Sequence, residues 1–310
     1  MLNDLWLALL AAAPTRPQVL ADKVNCLLRR SCLRERDRDA VWDLLWEKPL
    51  YAFAMANVAE PAVTAIRLNG CFRDPAAVLD ASWEVVRVPG QNFQAVGENA
   101  VRWRQGLLPG SGDTVQFHGA PIALARLFAI RELGFRYAQG LGDSLQEACA
   151  QQLLAPLDAG LWQQTRDAIF PLPPLAPAAG LLGPRIAITT AQHMALDLGF
   201  STLKPDRWFL GFYAAATGIP FHRNAAVDRR RLITLETWLA GLVQELEISE
   251  DGLPQLDIQL VRQAPFRFAD LVIAKFGMNA DPSWGIERAP RNLPPAAVPQ
   301  SLHVLQTAFD

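Results

Sequence analysis

The chain has 310 residues, 51% of them apolar and 19% charged, with a formal net charge of −2. That length can bury a large core, and the balance excludes wholesale disorder and a strongly basic nucleic-acid coat. The four cysteines, Cys26, Cys32, Cys71 and Cys149, form no CxxC pair and have no histidine at zinc-finger spacing, so no structural metal, disulfide framework or cofactor is expected.

In chain order, "MLNDLWLALLAAAP" carries an apolar run too short to span a bilayer, and Asp4 stands where a signal peptide needs basic charge. An amphipathic helix packed on the body is expected, with no membrane partner and a reduced, cytoplasmic setting. "RPQVLADKVNCLLRR" places Val19, Leu20, Val24, Leu27 and Leu28 near one helical face, and "RDAVWDLLWE" does the same with Val41, Leu44 and Leu45. Between them "RRSCLRERDRD" mixes charge signs and reads as a solvated helix end and turn.

"WEVVRVPG" and "GDTVQFHG" have the β-branched and aromatic content of short strands, so a small hairpin or sheet is expected to interrupt the helices. Two long helical patterns follow, "APIALARLFAIRELG" and "DSLQEACAQQLLAPLDAGLWQQTRDAIF". The four prolines of "FPLPPLAPAAG" then break the helix and mark a boundary. The expected organisation is an N-terminal, mainly helical subdomain over residues 1–170 and a second over 171–310 that ends in a proline-rich tail.

From Gly180 to Gly218 the chain reads turn, helix, loop, helix. Ile186, Ala187, Thr190, Ala191, Met194 and Leu198 recur at helical spacing, with Arg185, Thr189, Gln192, His193 and Asp197 towards the other side. Gly183 and Pro184 open this helix and Gly199 stops it. Free N–H groups at such a start can meet a phosphate. His193 and Asp197, at i and i+4, read as a surface contact. The second helix opens on Lys204-Pro205-Asp206, where the positive end of the helix dipole favours a carboxylate anion. A fixed anion suits a reaction that passes through an oxocarbenium-like sugar.

"GLLGPRIA", the helix after it and "LKPDRWFLGFYAA" resemble the helix-hairpin-helix DNA glycosylase superfamily, whose pattern is an L-P-G-x-G-x-x-x-A hairpin followed about twenty residues later by an aspartate at a helix start. On this match Gly183 takes the second hairpin glycine, Ala187 the small packing residue and Asp206 the catalytic aspartate; twenty-one positions separate Arg185 from Asp206. Leu181 stands where the first glycine would fall. Arg185 stands where strand-cleaving members carry a lysine, and a guanidinium cannot form a Schiff base, so the resemblance implies a monofunctional enzyme.

It further implies a mainly α fold with two helical subdomains flanking a cleft, a helix-hairpin-helix element, and double-stranded DNA as partner. Gly183, Pro184, Arg185, Arg207, Arg223, Arg229 and Arg230 are the expected DNA-binding residues, and Trp208 and Phe212 the expected wall of a pocket for a flipped base. From Gly180 to Arg231, seven Lys or Arg residues stand against three Asp, a local positive excess within a slightly acidic chain. The alternative is a non-catalytic helix-hairpin-helix nucleic-acid-binding protein in which Asp206 only caps its helix. "FRFADLVIAKFG" is similar to the helix that closes this fold.

Overall fold

The computed structural model describes residues 1–32, 36–51, 63–64, 67, 74–75, 84–86, 94–96, 130, 133–154, 188–219, 229–278 and 281–287, and within them the chain is mainly helical. Helices α1 (Leu2–Ala11) and α2 (Pro17–Ser31) open it, α2 with a proline in its first turn and Arg29 and Arg30 in its last, where the dipole favours cations. Leu20, Val24 and Leu28 are buried as the periodicity predicts, whereas Val19 at the stripe's edge is exposed. Asp37 caps α3 (Arg38–Leu45) by accepting from the Ala40 N–H, and the single turn α4 (Lys48–Tyr51) follows.

Strand β1 (Glu84–Val86) pairs antiparallel with β2 (Gln94–Val96), Val85 opposite Ala95. β1 falls within "WEVVRVPG", while the other expected strand, residues 112–119, lies outside the described residues. A π-type turn, Tyr137–Leu141, leads into α5 (Gly142–Leu154); its Gly140 has φ 123°, a value side chains rarely allow. The remaining helices are α6 (Ile188–Leu198), α7 (Arg207–Thr217), α8 (Arg229–Gln244), α9 (Ile258–Gln263) and α10 (Pro265–Gly277). Gly199 at φ 94° stops α6, as expected, and Gly218 at φ 72° stops α7.

Two apolar clusters organise these elements and cut across chain order. In one, Leu5 and Trp6 of α1 and Leu20 and Val24 of α2 join Phe209 and Tyr213 of α7, Trp238 of α8 and Phe268 and Val272 of α10. In the other, Val41, Trp42 and Leu45 of α3 and Leu141 and Leu145 at the start of α5 join Met194, Ala195 and Leu198 of α6. α1 and α2 pack with the C-terminal helices, and α6 packs with the helices that precede it. α6 is therefore covered on both sides. Its polar side chains Gln192 and Asp197 are 0% and 1% exposed, which replaces the expected one-sided amphipathic helix with one buried all round.

A strap at residues 281–287 ties the two ends of the described chain together. The Glu287 N–H donates to Ala12 O at 3.1 Å, and Thr15 Oγ1 donates to Glu287 Oε1 at 2.7 Å. Lys275 Nζ lies 3.8 Å from the Trp284 ring centroid and 2.7 Å from Asp281 Oδ2, so it is gripped between an aromatic face and a carboxylate. Gly285, at φ 76°, crosses so near Arg16 that a Cβ would stand 2.9 Å from Arg16 Cβ and 3.1 Å from its carbonyl oxygen. Gly285→Ala is therefore expected to lower stability by about 2 kcal/mol, from the left-handed backbone plus the displaced strap. Urea unfolding measures this, and a loss under about 0.5 kcal/mol would mean that the strap does not hold the termini.

Among the described residues no helix is long and apolar enough to cross a membrane, and no group of three or more His, Cys, Asp or Glu side chains could hold a metal ion. Cys26, Cys32 and Cys149 are free thiols.

Candidate active site at the Lys204–Asp206 turn

Pro205 makes the entry to α7 rigid. The Asp206 N–H donates to Lys204 O at 2.7 Å, closing a three-residue turn centred on the proline, and Thr189 Oγ1 of α6 donates to Pro205 O at 3.5 Å. Asp206 then leaves the turn with φ −89° and ψ 173° and is itself the cap of α7, with Pro205 just outside the helix. Its Oδ1 accepts from Trp208 N at 2.9 Å and Phe209 N at 3.0 Å. Oδ2 faces Lys204 Nζ at 3.5 Å, and the side chain keeps 19% of its surface in solvent. One oxygen is thus locked by the backbone and the other faces the Lys204 ammonium.

Behind the turn stands α10. Asp270 is 3% exposed, and its Oδ1 accepts the Lys204 N–H at 2.8 Å. At the other end of the same helix Gly277 lies flat against Trp208, where a Cβ would come within 2.8 Å of the Trp208 carbonyl oxygen. Burial pushes the Asp270 carboxyl up to about 6; Arg267 and the Lys204 N–H pull against that, and the nearby Asp206 charge adds to it.

Asp270 is one end of a buried ionic chain. Arg267 lies 3.5 Å from Asp270 Oδ2 and 2.9 Å from Asp197 Oδ1. Asp197 also meets Lys48 Nζ, which is 2.5 Å from Glu47 Oε1, and Glu47 is paired with Arg30 at 2.6 Å and with Arg67 at 3.0 Å. Burial alone would push Asp197 and Glu47 up. For Asp197, Lys48 and Arg267 outweigh it; for Glu47, Lys48 and Arg30 do, so both are held below the usual carboxylate range. Glu47, Lys48, Asp197 and Arg267 are nearly sealed, and the chain they form runs between the two apolar clusters, from α4 through α6 to α10.

A second buried set, of polar side chains, fastens the segment just before the turn. Thr202 Oγ1 lies within hydrogen-bond distance of Gln192 on α6 and donates to Glu236 Oε1 on α8 at 2.6 Å. A hydroxyl has one proton to give, so when it goes to Glu236 the Gln192 amide meets Thr202 Oγ1 with its Nε2.

His193 and Asp197 do not form a surface contact. Asp197 is buried, His193 keeps 13% of its side-chain surface, and Nε2 stands 3.9 Å from Asp197 Oδ1 with the Tyr51 ring at 5.9 Å. Burial, reinforced by Lys48 and Lys204, holds the imidazole well below its ordinary value, and Asp197 only partly offsets this. The unfolded chain therefore binds a proton near pH 6.5 that the folded chain refuses, and stability falls as the pH drops below that value. Asp270 has the opposite sign: between about pH 4 and 6 the folded state holds the extra proton. His193→Gln is expected to remove the first effect, making the loss of stability from pH 7 to pH 5 smaller by about 1–2 kcal/mol. Urea midpoints at the two pH values test it, and parallel pH dependence in variant and wild type would show that His193 is not held neutral.

The structure brings Asp206, Arg207 and Trp208 together at one helix start. Arg207 is exposed, with its guanidinium 4.5 Å from the Trp208 ring centroid, and Trp208 is half-buried. Phe212 sits in the core, 4% exposed, with ring centroids 6.3 Å from Trp238 and 5.8 Å from Phe276. Arg230 is exposed near the start of α8, whose first residue is Arg229. Gly183, Pro184, Arg185, Ala187 and Arg223 lie outside the described residues. The charge run near residue 30 is not wholly solvated. Arg36 is 3% exposed and donates to the carbonyls of Arg30 at 2.9 Å, Cys32 at 3.2 Å and Asp197 at 3.3 Å.

Sequence reasoning missed Asp270, Arg267 and Lys48. The available signal was charge inside apolar runs: Arg267 and Asp270 stand three apart in "PFRFADLVIAKFG", whose other charged residue is Lys275 near the end, and Glu47-Lys48 interrupts "LLWEKPLY". Charges placed where a helix should be buried indicate paired groups. Set against known proteins, the chain matches no family model, no curated protein and no solved structure.

Proposed function

We propose that the chain is a DNA glycosylase-like hydrolase that breaks the N-glycosidic bond of a damaged or modified base flipped out of duplex DNA. Asp206 would stabilise the sugar cation or orient the attacking water, and the lack of a lysine at Arg185 makes the enzyme monofunctional. Gly183, Pro184 and Arg185 would anchor the phosphate backbone, as the resemblance to a helix-hairpin-helix element implies, Arg207, Arg223, Arg229 and Arg230 would add to that anchor, and Trp208 would offer a face for the flipped base. Two helical halves flank the cleft, the site is cytoplasmic, and no cofactor takes part.

One observation carries this proposal. Asp206 has one oxygen fixed by two backbone N–H groups and the other beside the Lys204 ammonium, on a side chain that keeps 19% of its surface, so its carboxylate is oriented before any substrate arrives. A charge already oriented needs no reorganisation when the sugar becomes cationic.

A second reading has its own observation. Asp257 caps α9 in the same way, accepting from Gln259 N at 3.0 Å and Leu260 N at 3.3 Å, so a cap of this form also serves a non-catalytic nucleic-acid-binding module. Incubating the protein with duplexes carrying a panel of oxidised, alkylated and otherwise modified bases, then adding alkali to reveal abasic sites, separates the two. Base release from any duplex favours the glycosylase. Salt-sensitive binding without release favours the module, and neither at low salt removes both.

A further inference from the structure

We propose that Asp270 is the positioning residue of this site: from the buried face of α10 it fixes the Lys204 N–H, and through it the turn that aims the Asp206 carboxylate. The inference rests on the glycosylase proposal for what Asp206 does, while the mechanical tie stands on its own geometry.

The turn is short, so the tie reaches Asp206 with little slack. Asp270 Oδ1 accepts from Lys204 N at 2.8 Å, the Asp206 N–H returns to Lys204 O at 2.7 Å, and Lys204 Nζ faces Asp206 Oδ2 at 3.5 Å. Lys204 is thus held by its N–H and presents both its carbonyl and its amine to Asp206. Asp270 in turn has no freedom to wander, since Arg267 lies 3.5 Å from its Oδ2 and is itself anchored 2.9 Å from Asp197. The far end of α10 supports the same segment, because Gly277 lets the helix approach the Trp208 carbonyl. A buried carboxylate on a helix interior is costly unless its charge is used, and here its hydrogen bond goes to the residue two before the proposed catalytic group. The two carboxyls also sense one another, since the Asp206 charge adds to the upward push on Asp270. An alanine at 270 would leave the part-buried Lys204 N–H without its acceptor and the turn free to drift, and small misplacements of a reacting group lower rates strongly.

The test compares wild type, Asp270→Asn and Asp270→Ala by hydrogen exchange over residues 203–209, alongside kcat and KM for release of whichever base the wild type removes. Asp270→Ala should raise exchange in that segment about tenfold or more while α1 and α8 keep their protection, and should lower kcat about tenfold with KM little changed. Asp270→Asn, whose Oδ1 can still accept, should restore protection and most of kcat. If Asp270→Ala does not fold, Asp270→Leu keeps the side-chain bulk but cannot accept the Lys204 N–H, and is read in the same way.

Unchanged exchange at 203–209, a rise spread evenly over all helices, or no rescue by asparagine overturns the inference. A wild-type protein that releases no base overturns the glycosylase proposal and the catalytic half of this one, and exchange alone then decides whether Asp270 holds the turn.

Discussion

Substituting Lys48 by methionine is expected to lower folding stability by about 3–5 kcal/mol. The ammonium is 2% exposed and touches both Asp197 and, at 2.5 Å, Glu47. Methionine fills nearly the same space, so the loss is one of charge, and two buried carboxylates are left with less compensation. Arg267 still serves Asp197, and Arg30 and Arg67 still serve Glu47, which places the expectation at the lower end of that range. The sign of the pH dependence follows from Asp197. Its carboxyl is held below the ordinary range, so the stability it contributes is present above the unfolded-state value near pH 4 and is lost as the pH falls towards the folded value. The difference between Lys48→Met and wild type should therefore shrink on acidification, because the variant has less of that stability to lose. Urea unfolding at pH 7 and pH 3 measures both, and a variant as stable as wild type at pH 7 would show that the ionic chain does not join the two clusters.

Much of the helical framework was legible because its faces repeat. The stripes Leu20, Val24, Leu28 and Val41, Leu44, Leu45 point inward as their spacing predicts, and Gly199 stops α6. The start of α7 was legible to within about two residues, since a proline followed by an aspartate cannot easily lie inside a helix. The polar side of α6 was not legible. Periodicity separates apolar from polar positions but says nothing of whether the polar ones meet water or partners from distant parts of the chain. Asp197 meets Lys48 and Arg267, Gln192 meets Thr202, and Arg36 reaches the Asp197 carbonyl, so these contacts needed the tertiary fold. The tie at the candidate site escaped for the same reason, since Asp270 stands sixty-six residues after Lys204. Phe212 shows the converse: the resemblance made it a pocket wall, and it packs in the core against Trp238 and Phe276.

The same geometry makes Asp206 separable into two roles, because a cap needs an oxygen and a reaction through a cation needs a charge. Asparagine caps a helix about as well as aspartate, so Asp206→Asn should keep both hydrogen bonds to the Trp208 and Phe209 N–H groups. What it removes is the favourable term with the helix dipole, about 0.3–1 kcal/mol, and a partly exposed contact with Lys204 that is worth little. Folding should thus be almost unaffected while base release falls about 10²–10³-fold, the usual scale for losing one preorganised electrostatic group. Asp206→Ala removes cap and charge together and should lose about 1 kcal/mol of stability in addition. Asp257→Asn supplies the control, since it makes the equivalent change at α9, away from the turn, and should leave base release intact. Duplex binding by Asp206→Asn should equal that of wild type or exceed it, since an anion near the phosphates is removed. Equal base release by wild type and Asp206→Asn would reduce Asp206 to a cap and leave the binding module as the surviving account of the site.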